Sequence, residues 1–573
     1  MTQAFVAPTR RQINLIVLAL MVGMFLAALD QMIVATAIRT IGDDLHGLTL
    51  QAWVTTAYMI AATISTPLYG KLSDMYGRKP LYVTALGLFV VGSALCATAT
   101  SMYQLAAYRG LQGAGAGGLM ALGIMILGDL LSPRERTKYQ AAFFGVWGMA
   151  SVLGPVIGGF FAGATSLLGV AGWRWIFLIN VPLGAAALLL IVRVLHVHHM
   201  GRGEQRVDWW GVSALVLGIV PLLTVLERGN VWGWTAPLSL ALFATSVVGF
   251  TLFFLAERAA GDDALLPLRM FKNRTVAVST VVNFIMGFGM FGGLAGIPLY
   301  LQISRGMSPT EAGLAMVPFT VGILIVAIVA TRIIHQTGHY KWIPVGGVVL
   351  MLTGVMLLSR IQYDSPLWKV FGAAVIFGGG LGGLMQPLML AVQNSLPARD
   401  NGAGTASVMF FRQIGGSLGT AVFLSLLFGN VQEKIAGAFK AAAQTPAFQQ
   451  AIQDPAVLAD PKNAAVITAI TSNDPTALQS SGISLDDTSF IHDLAPQLAA
   501  PFQIGFAQAI AGVMLVAAAV IVIALVVIFF LPSLPLQDKS GLQAMADEAE
   551  QVAGVSRKDQ DAEAGEDISV PRG

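Results

Sequence analysis

Two charged side chains fall where water should not reach. Asp30 lies inside an apolar run at residues 13–37, and Arg109 inside another at 103–130. A charge within a bilayer is costly, so each should face a cavity or an opposite charge. If the first run crosses outward and the fourth inward, a rise of about 1.5 Å per residue leaves both roughly 10 Å from the outer ends of their helices, where they can meet. An intramembrane acid beside a cation can take up a proton and release its partner, which is the chemistry of a proton carrier. A purely structural ion pair is the alternative. Gln112 lies three residues beyond Arg109 on the same helix face, with Gly113 next in the chain.

A second group reads as a latch. Gly70, Asp74, Gly77, Arg78 and Lys79 occupy the short link between the second and third apolar runs. The glycines allow a tight turn, Asp74 can sit at a helix N-terminus, and Arg78 can reach an acidic neighbour. Asp129, at the end of the fourth run, is the candidate partner. On the fifth run, Gly154, Pro155, Gly158 and Gly159 combine a missing backbone donor with room for close approach, which predicts a kinked, tightly packed helix. Arg412 and Gln413 stand about a third of the way along the thirteenth run, where Arg412 can bind substrate, pair across the bundle or snorkel. Phe284, Met286, Phe288, Met290 and Phe291 give the ninth a flexible, polarizable face suited to varied apolar ligands, with ordinary packing as the other reading. The candidate substrate cavity is therefore Phe284, Phe288, Met290, Arg412 and Gln413.

The elements that must hold these residues are membrane spans. Of 573 residues, 55% are hydrophobic and 11% charged, against about 25% charged in an average soluble protein, so most of the surface must face lipid. The net charge of +2 is dispersed in short clusters between apolar runs, which excludes a nucleic-acid partner. A single cysteine, Cys96, permits no intramolecular disulfide. The first apolar run is too long for a cleaved signal. Fourteen runs approach the roughly 20 residues a span needs, at 13–37, 52–71, 80–99, 103–130, 137–162, 173–194, 209–227, 236–257, 275–300, 310–331, 342–359, 367–392, 402–430 and 503–532. Lys and Arg cluster at residues 10–11, 71–79, 134–138, 193–206 and 269–274, all on one side, which predicts both termini in the cytoplasm.

The chain also repeats itself at a displacement of roughly 261 to 265 positions. Gly113, Gly115, Gly117, Gly118, Leu119 and Met120 recur as Gly378, Gly380, Gly382, Gly383, Leu384 and Met385, and Gly154 and Gly158 recur as Gly415 and Gly419. A degenerate echo of the latch, residues 332–341 around Gly338, sits at the same offset. Runs 4 and 5 thus match runs 12 and 13, a shift of eight where two adjacent six-helix halves would shift by six. Two helices are inserted between the halves. The expected organisation is a six-helix bundle at 1–195, two inserted helices at 196–260, and five helices of the second bundle at 261–430. An outside loop at 431–501, the last helix at 502–533 and a disordered acidic cytoplasmic tail at 534–573 complete it. Repeated bundles place their working site between the halves, near mid-membrane.

With these motifs the sequence resembles the fourteen-helix drug:proton antiporters of the major facilitator superfamily, from about Leu29 to Gly419 and more loosely through the last helix. The resemblance rests on the run from Gly70 to Lys79, on Arg109, Gln112 and Gly113, on Gly154 to Gly159, and on the stretch Trp173 to Pro182 at the start of the sixth helix. The last is a family marker and interfacial anchor. The sequence departs from the family pattern at Met32, Ile38, Arg39, Met75 and Ala150. The resemblance implies an all-α integral membrane protein of the major facilitator fold, with functional roles for Asp30 and Arg109.

Other features carry less. His196, His198 and His199 lie in a basic connector without acidic ligands, so no metal is expected. The glycine run at 113–118 lacks the Lys-Ser or Lys-Thr of a phosphate loop, and no cofactor is implied. Asp208, Glu227 and Glu257 sit at helix ends, where solvated charges are the default. No span holds a paired-carboxylate, metal-ligand or nucleophile constellation, which argues against an enzyme. The leading expectation is a proton-coupled exporter of small amphipathic or apolar compounds in a bacterial inner membrane. Its partners would be substrate, protons and the bilayer, with an extracytoplasmic partner at 431–501 open. A lipid or siderophore exporter and a non-transporting membrane assembly or sensor protein are the alternatives.

Overall fold

A computed structural model describes residues 9–46, 50–131, 133–195, 207–397, 400–472, 490–491 and 493–536. Its principal helices are α1 Arg10–Asp44, α2 Gln51–Tyr76, α3 Arg78–Thr98, α4 Met102–Leu130, α5 Pro133–Gly163, α6 Asn180–Val194, α7 Trp209–Trp232 and α8 Pro237–Ala260. They continue as α9 Arg274–Leu299, α10 Val317–Thr337, α11 Trp342–Leu358, α12 Leu367–Ser395, α13 Asn401–Ala442 and α14 Pro496–Ile528. Among the described residues, ten helices are long and apolar enough to cross a membrane, and Arg274–Met290 and Trp342–Leu358 are shorter apolar helices. The chain is a multi-pass membrane protein.

Local sequence sets the helix boundaries. Thr9 and Gln12 form a capping box at the start of α1. Gly77, at φ 93°, both ends α2 and begins α3, a conformation that side chains rarely adopt. Gly338, at φ 68°, turns α10 toward α11 in the same relative place, so the echo of the latch keeps its turn. Pro298 lies near the end of α9, and a π-helical turn, Tyr300–Ser304, follows. The chain is not wholly helical. Ser166–Leu167 and Val170–Ala171 pair antiparallel around Leu168 and Gly169, both at positive φ, as a two-residue hairpin turn of this hand requires.

The repeat is visible in the packing. Gly113 and Gly117 bring α4 onto the backbone of α2 at Tyr58 and Ala62, and Gly115 brings it onto α3 at Phe89; a Cβ at any of these positions would overlap its neighbour. Gly378 and Gly382 bring α12 onto Phe319 and Ile323 of α10, and Gly380 onto Met351 of α11. Gly154 and Gly158 seat α5 on Met32 and Ile33 of α1, as Gly415 and Gly419 seat α13 on Phe284 and Phe288 of α9. Each contact recurs eight helices later. The inserted α7 and α8 pack on one another through Gly218 and Gly249, and the Ser246 hydroxyl donates to the Gly218 carbonyl at 2.8 Å. Leu215, Ile219 and Leu223 of α7 join Ile60 and Ile64 of α2 and Phe410 and Ile414 of α13 in one apolar cluster. Protein covers 17% of the most apolar stretch of α8 but 83% of that of α12, which makes α8 peripheral and α12 central.

Three expectations need correction. The thirteenth helix does not end near 430: α13 continues to Ala442, and α14 begins at Pro496, so both extend into the segment read as a loop. At about 1.5 Å per residue α13 is roughly 63 Å long, about twice a hydrocarbon layer. Beyond it, Pro446–Ala451, Pro455–Ala459 and Pro461–Ser472 are short helices. Phe439, Phe448, Phe490 and Phe502 meet edge to face, above buried Val466, Ile491 and Leu498. Glu257 is no solvated charge. It is buried and accepts from the backbone N–H groups of Leu265 at 3.1 Å and Leu266 at 2.8 Å, closing the turn that leads toward α9. Asp208 caps α7 by accepting from Gly211 N at 2.8 Å. The side chains of Pro155, Glu227 and Phe291, the histidines at 196, 198 and 199, and the tail beyond 536 lie outside the described residues.

Candidate functional site

Asp30 and Arg109 form an ion pair with almost no exposure to solvent. Helix α1 carries Asp30, and α4 carries Arg109 and, one turn on, Gln112. The same Arg109 Nη1 donates to Gln112 Oε1 at 2.6 Å, while Gln112 Nε2 donates to Asp30 Oδ1 at 2.8 Å and to Ser93 Oγ of α3 at 2.7 Å. Asn180, the first residue of α6, donates to Asp30 Oδ1 at 2.9 Å. Arg109 lies over the ring of Tyr58, 4.1 Å from its centroid, and Tyr58 Oη donates to Ala27 O at 3.3 Å. The Cys96 thiol approaches Gln112 Oε1 at 3.7 Å. Five helices therefore contribute to one polar cluster around a single carboxylate, which α4 and α6 touch directly.

Chemically this is a buried acid with a replaceable partner. A buried ion pair repays its desolvation only with good geometry and further hydrogen bonds, and here the carboxylate accepts from three side chains. If Asp30 is neutralised, Arg109 still has the Gln112 carbonyl and the Tyr58 ring beside it, so the cation keeps partners while its charge partner is lost.

The latch residues also meet. Arg78 pairs with Asp74 Oδ1 at 2.7 Å and with Asp129 Oδ2 at 2.7 Å, and donates to the Ser73 hydroxyl. Lys79 Nζ donates to Val192 O of α6 at 2.8 Å. Asp74 lies in the last turn of α2 instead of beginning its own helix. Its carboxylate rests against Gly402 in the first turn of α13, where a Cβ would fall on it. Gly70 faces Ala406 one turn further along α13, and a Cβ there would come within 2.7 Å of it. The first-half charges thus bear on a helix of the second half. Just before the echo, a neutral hydrogen bond from Thr331 Oγ1 to Gln386 Oε1, at 3.1 Å, joins α10 to α12.

The predicted cavity residues divide. Phe284 and Phe288 are partly exposed on the α9 face that meets α13, whereas Met290, like Met286, is buried in the core of the second half. Residues 284 and 288 are four apart and share a face, while 286 and 290 stand about 200° round the helix from it. Arg412 and Gln413 are partly covered on α13. Gly159 of α5 has open space beside it, unlike Gly154 and Gly158.

The profile of the Major Facilitator Superfamily matches residues 20–420. The chain belongs to the major facilitator superfamily. Two similar facilitators are the multidrug transporter protein MdtP of Bacillus subtilis and the uncharacterized MFS-type transporter Rv1877 of Mycobacterium tuberculosis. The first is 35% identical over 407 residues, covering 71% of this chain and 74% of that protein; the second is 32% identical over 536 residues, covering 93% and 71%. Among solved facilitators, the proton:xylose symporter XylE aligns over 94% of this chain and 99% of its own, with a TM-score of 0.54 and 14% identity, a likeness of fold.

Within this facilitator, sequence reasoning brought Asp30, Arg109 and Gln112 to one place and Asp74, Arg78 and Asp129 to another. It missed Asn180, Ser93 and Tyr58. Asn180 belongs to the stretch read as a marker and interfacial anchor; Trp173 of that stretch is buried and donates from Nε1 to Asp44 Oδ2 at 2.8 Å. The available signal was a carboxamide at the start of an apolar helix, where a polar side chain needs a partner.

Proposed function

We propose that this facilitator is a proton-coupled antiporter that exports small amphipathic or apolar compounds by alternating access across a bacterial inner membrane. The observation that carries the reading is the buried Asp30 carboxylate, opposed by Arg109 and held by Gln112 and Asn180. A proton reaching Asp30 removes its attraction for Arg109 and shifts the bundle between its two open states. Each proton entering with a potential contributes about 2.3 kcal/mol per 100 mV. Relatives named multidrug transporters and efflux pumps support the export direction. Fourteen crossings, counting α2, α5 and the two shorter apolar helices, and both termini in the cytoplasm complete the reading.

In this scheme Gly70, Asp74, Gly77, Arg78, Lys79 and Asp129 form the cytoplasmic latch. Asp74 against Gly402 favours a state closed on that side. The α5 glycines set the approach of α5 to α1.

The test is export by purified protein in liposomes. Under an imposed pH gradient, Asp30→Asn should abolish substrate accumulation at matched amounts of folded protein, while Asp30→Glu, which keeps a titratable group, should retain part of it. Accumulation by Asp30→Asn equal to the parent's would remove Asp30 as the carrier.

A further inference from the structure

The first half of the bundle balances its buried charge, and the second half does not. Away from the helix ends and the polar last turns of α13, the described helices carry three charged side chains: Asp30, Arg109 and Arg412. The first two pair with each other. Arg412 has no ion-pair, hydrogen-bond or ring partner among the described residues, and it is only partly covered. These three charges therefore sum to one uncompensated positive charge.

The position of Arg412 is fixed and deep. A Cβ on Gly287 of α9 would overlap the Arg412 carbonyl, so its backbone is locked into the contact between α9 and α13. Eleven residues past the start of α13, it lies about 16 Å along the helix, inside the apolar part of that span. The same stretch of α13 contributes Phe411 and Ile414 to an apolar cluster with Phe284 of α9 and Ile64 of α2, so the seam between the halves is apolar at the level of Arg412. A cation left alone in such a place calls for a counter-charge that arrives and departs.

We propose that Arg412 determines specificity: the compounds this bundle takes are amphipathic oxyanions, whose carboxylate, sulfonate or phosphate group pairs with its guanidinium while their apolar body lies against Phe284 and Phe411. The planar guanidinium fork matches an oxyanion in two-point geometry, and an ammonium does not. This inference rests on the export reading above and deepens it.

Three matched probes test it: pyrenebutyrate, pyrenebutanol and a pyrenebutylammonium salt, which share one apolar body and differ in charge. Binding to the purified full-length protein is read by fluorescence titration, with monodispersity and thermal unfolding checked for each variant. The parent should bind the anion about tenfold more tightly than the neutral probe and the cation least. Arg412→Gln should abolish the anion's advantage over the neutral probe, Arg412→Lys should keep part of it, and Arg412→Glu should reverse the order in favour of the cation. A parent that binds the cation as tightly as the anion, or binds no pyrenebutyrate, overturns the inference. So does a loss in Arg412→Gln that is equal for all three probes. Export is read separately in liposomes under a pH gradient. Movement of the neutral probe without anion preference sinks this inference alone, and Arg412-dependent anion binding without any export sinks the export reading alone.

Discussion

Protonating Asp30 would change the partnership of three side chains at once, because its carboxylate accepts from Arg109, Gln112 and Asn180. Asn180 matters most for testing this, since it is neutral and stands on a different helix from the other two. A hydrogen bond to a charged group contributes about 1.5–3 kcal/mol, so Asn180→Ala should weaken the charged form of the site and lower the rate of pH-driven export by about tenfold or more. The measurement is the initial export rate against the size of the imposed gradient. A parent-like rate and slope would leave Asn180 a packing residue. Asp30 and Arg109 were legible in the sequence because a charge inside an apolar run has few places to go. Asn180, Ser93 and Tyr58 were not, because a neutral polar or aromatic side chain in such a run has many. Met290 was misread for a related reason: composition names a lining, but only the helix phase divides lining from core.

At the scale of elements, close helix approach does what sequence pattern can only suggest. Gly113 and Gly110 sit three residues apart on α4, yet a Cβ on Gly113 would strike the Tyr58 backbone while one on Gly110 meets nothing within 4 Å. Gly113→Ala should destabilise the protein by about 1–3 kcal/mol through overpacking. Gly110→Ala should be neutral or stabilising by up to about 1 kcal/mol through helix propensity. Thermal unfolding of the two variants in one detergent decides it, and equal midpoints would contradict the packing of α2 on α4. The glycine repeat announced these contacts, and the same pattern exposed the inserted α7 and α8. The true length of α13 was hidden, since the turns from Gln432 to Ala442 carry polar and small residues that read as a connector once the apolar run ends. Glu257 was hidden in the same way: a carboxylate at a helix end looks solvated until the chain beyond it folds back.

At the scale of the whole molecule, two bundles of matching design are joined by an unmatched pair of helices, and a segment of short helices follows α13. That segment packs through Phe439, Phe448 and Phe502 onto the ends of α13 and α14. Replacing residues 446–472 with a Gly-Ser linker of equal length should leave membrane insertion intact, because no span is touched. It should lower thermal stability by on the order of 3 kcal/mol as Phe448 and Val466 are lost from the cluster, and alter export rate or substrate range. Export unchanged for every probe tested would reduce the segment to a connector. Finally, α13 touches the Asp74 carboxylate with its first turn, carries Arg412 along its shaft and ends among the phenylalanines of this cluster. One unbroken rod of roughly 63 Å is a lever: a tilt of about 10° about its midpoint carries each end roughly 5 Å in opposite directions. Under the proposed latch, an α13 that tilts as one body would carry a movement at Asp74 to the far end of the helix without a relay of side chains.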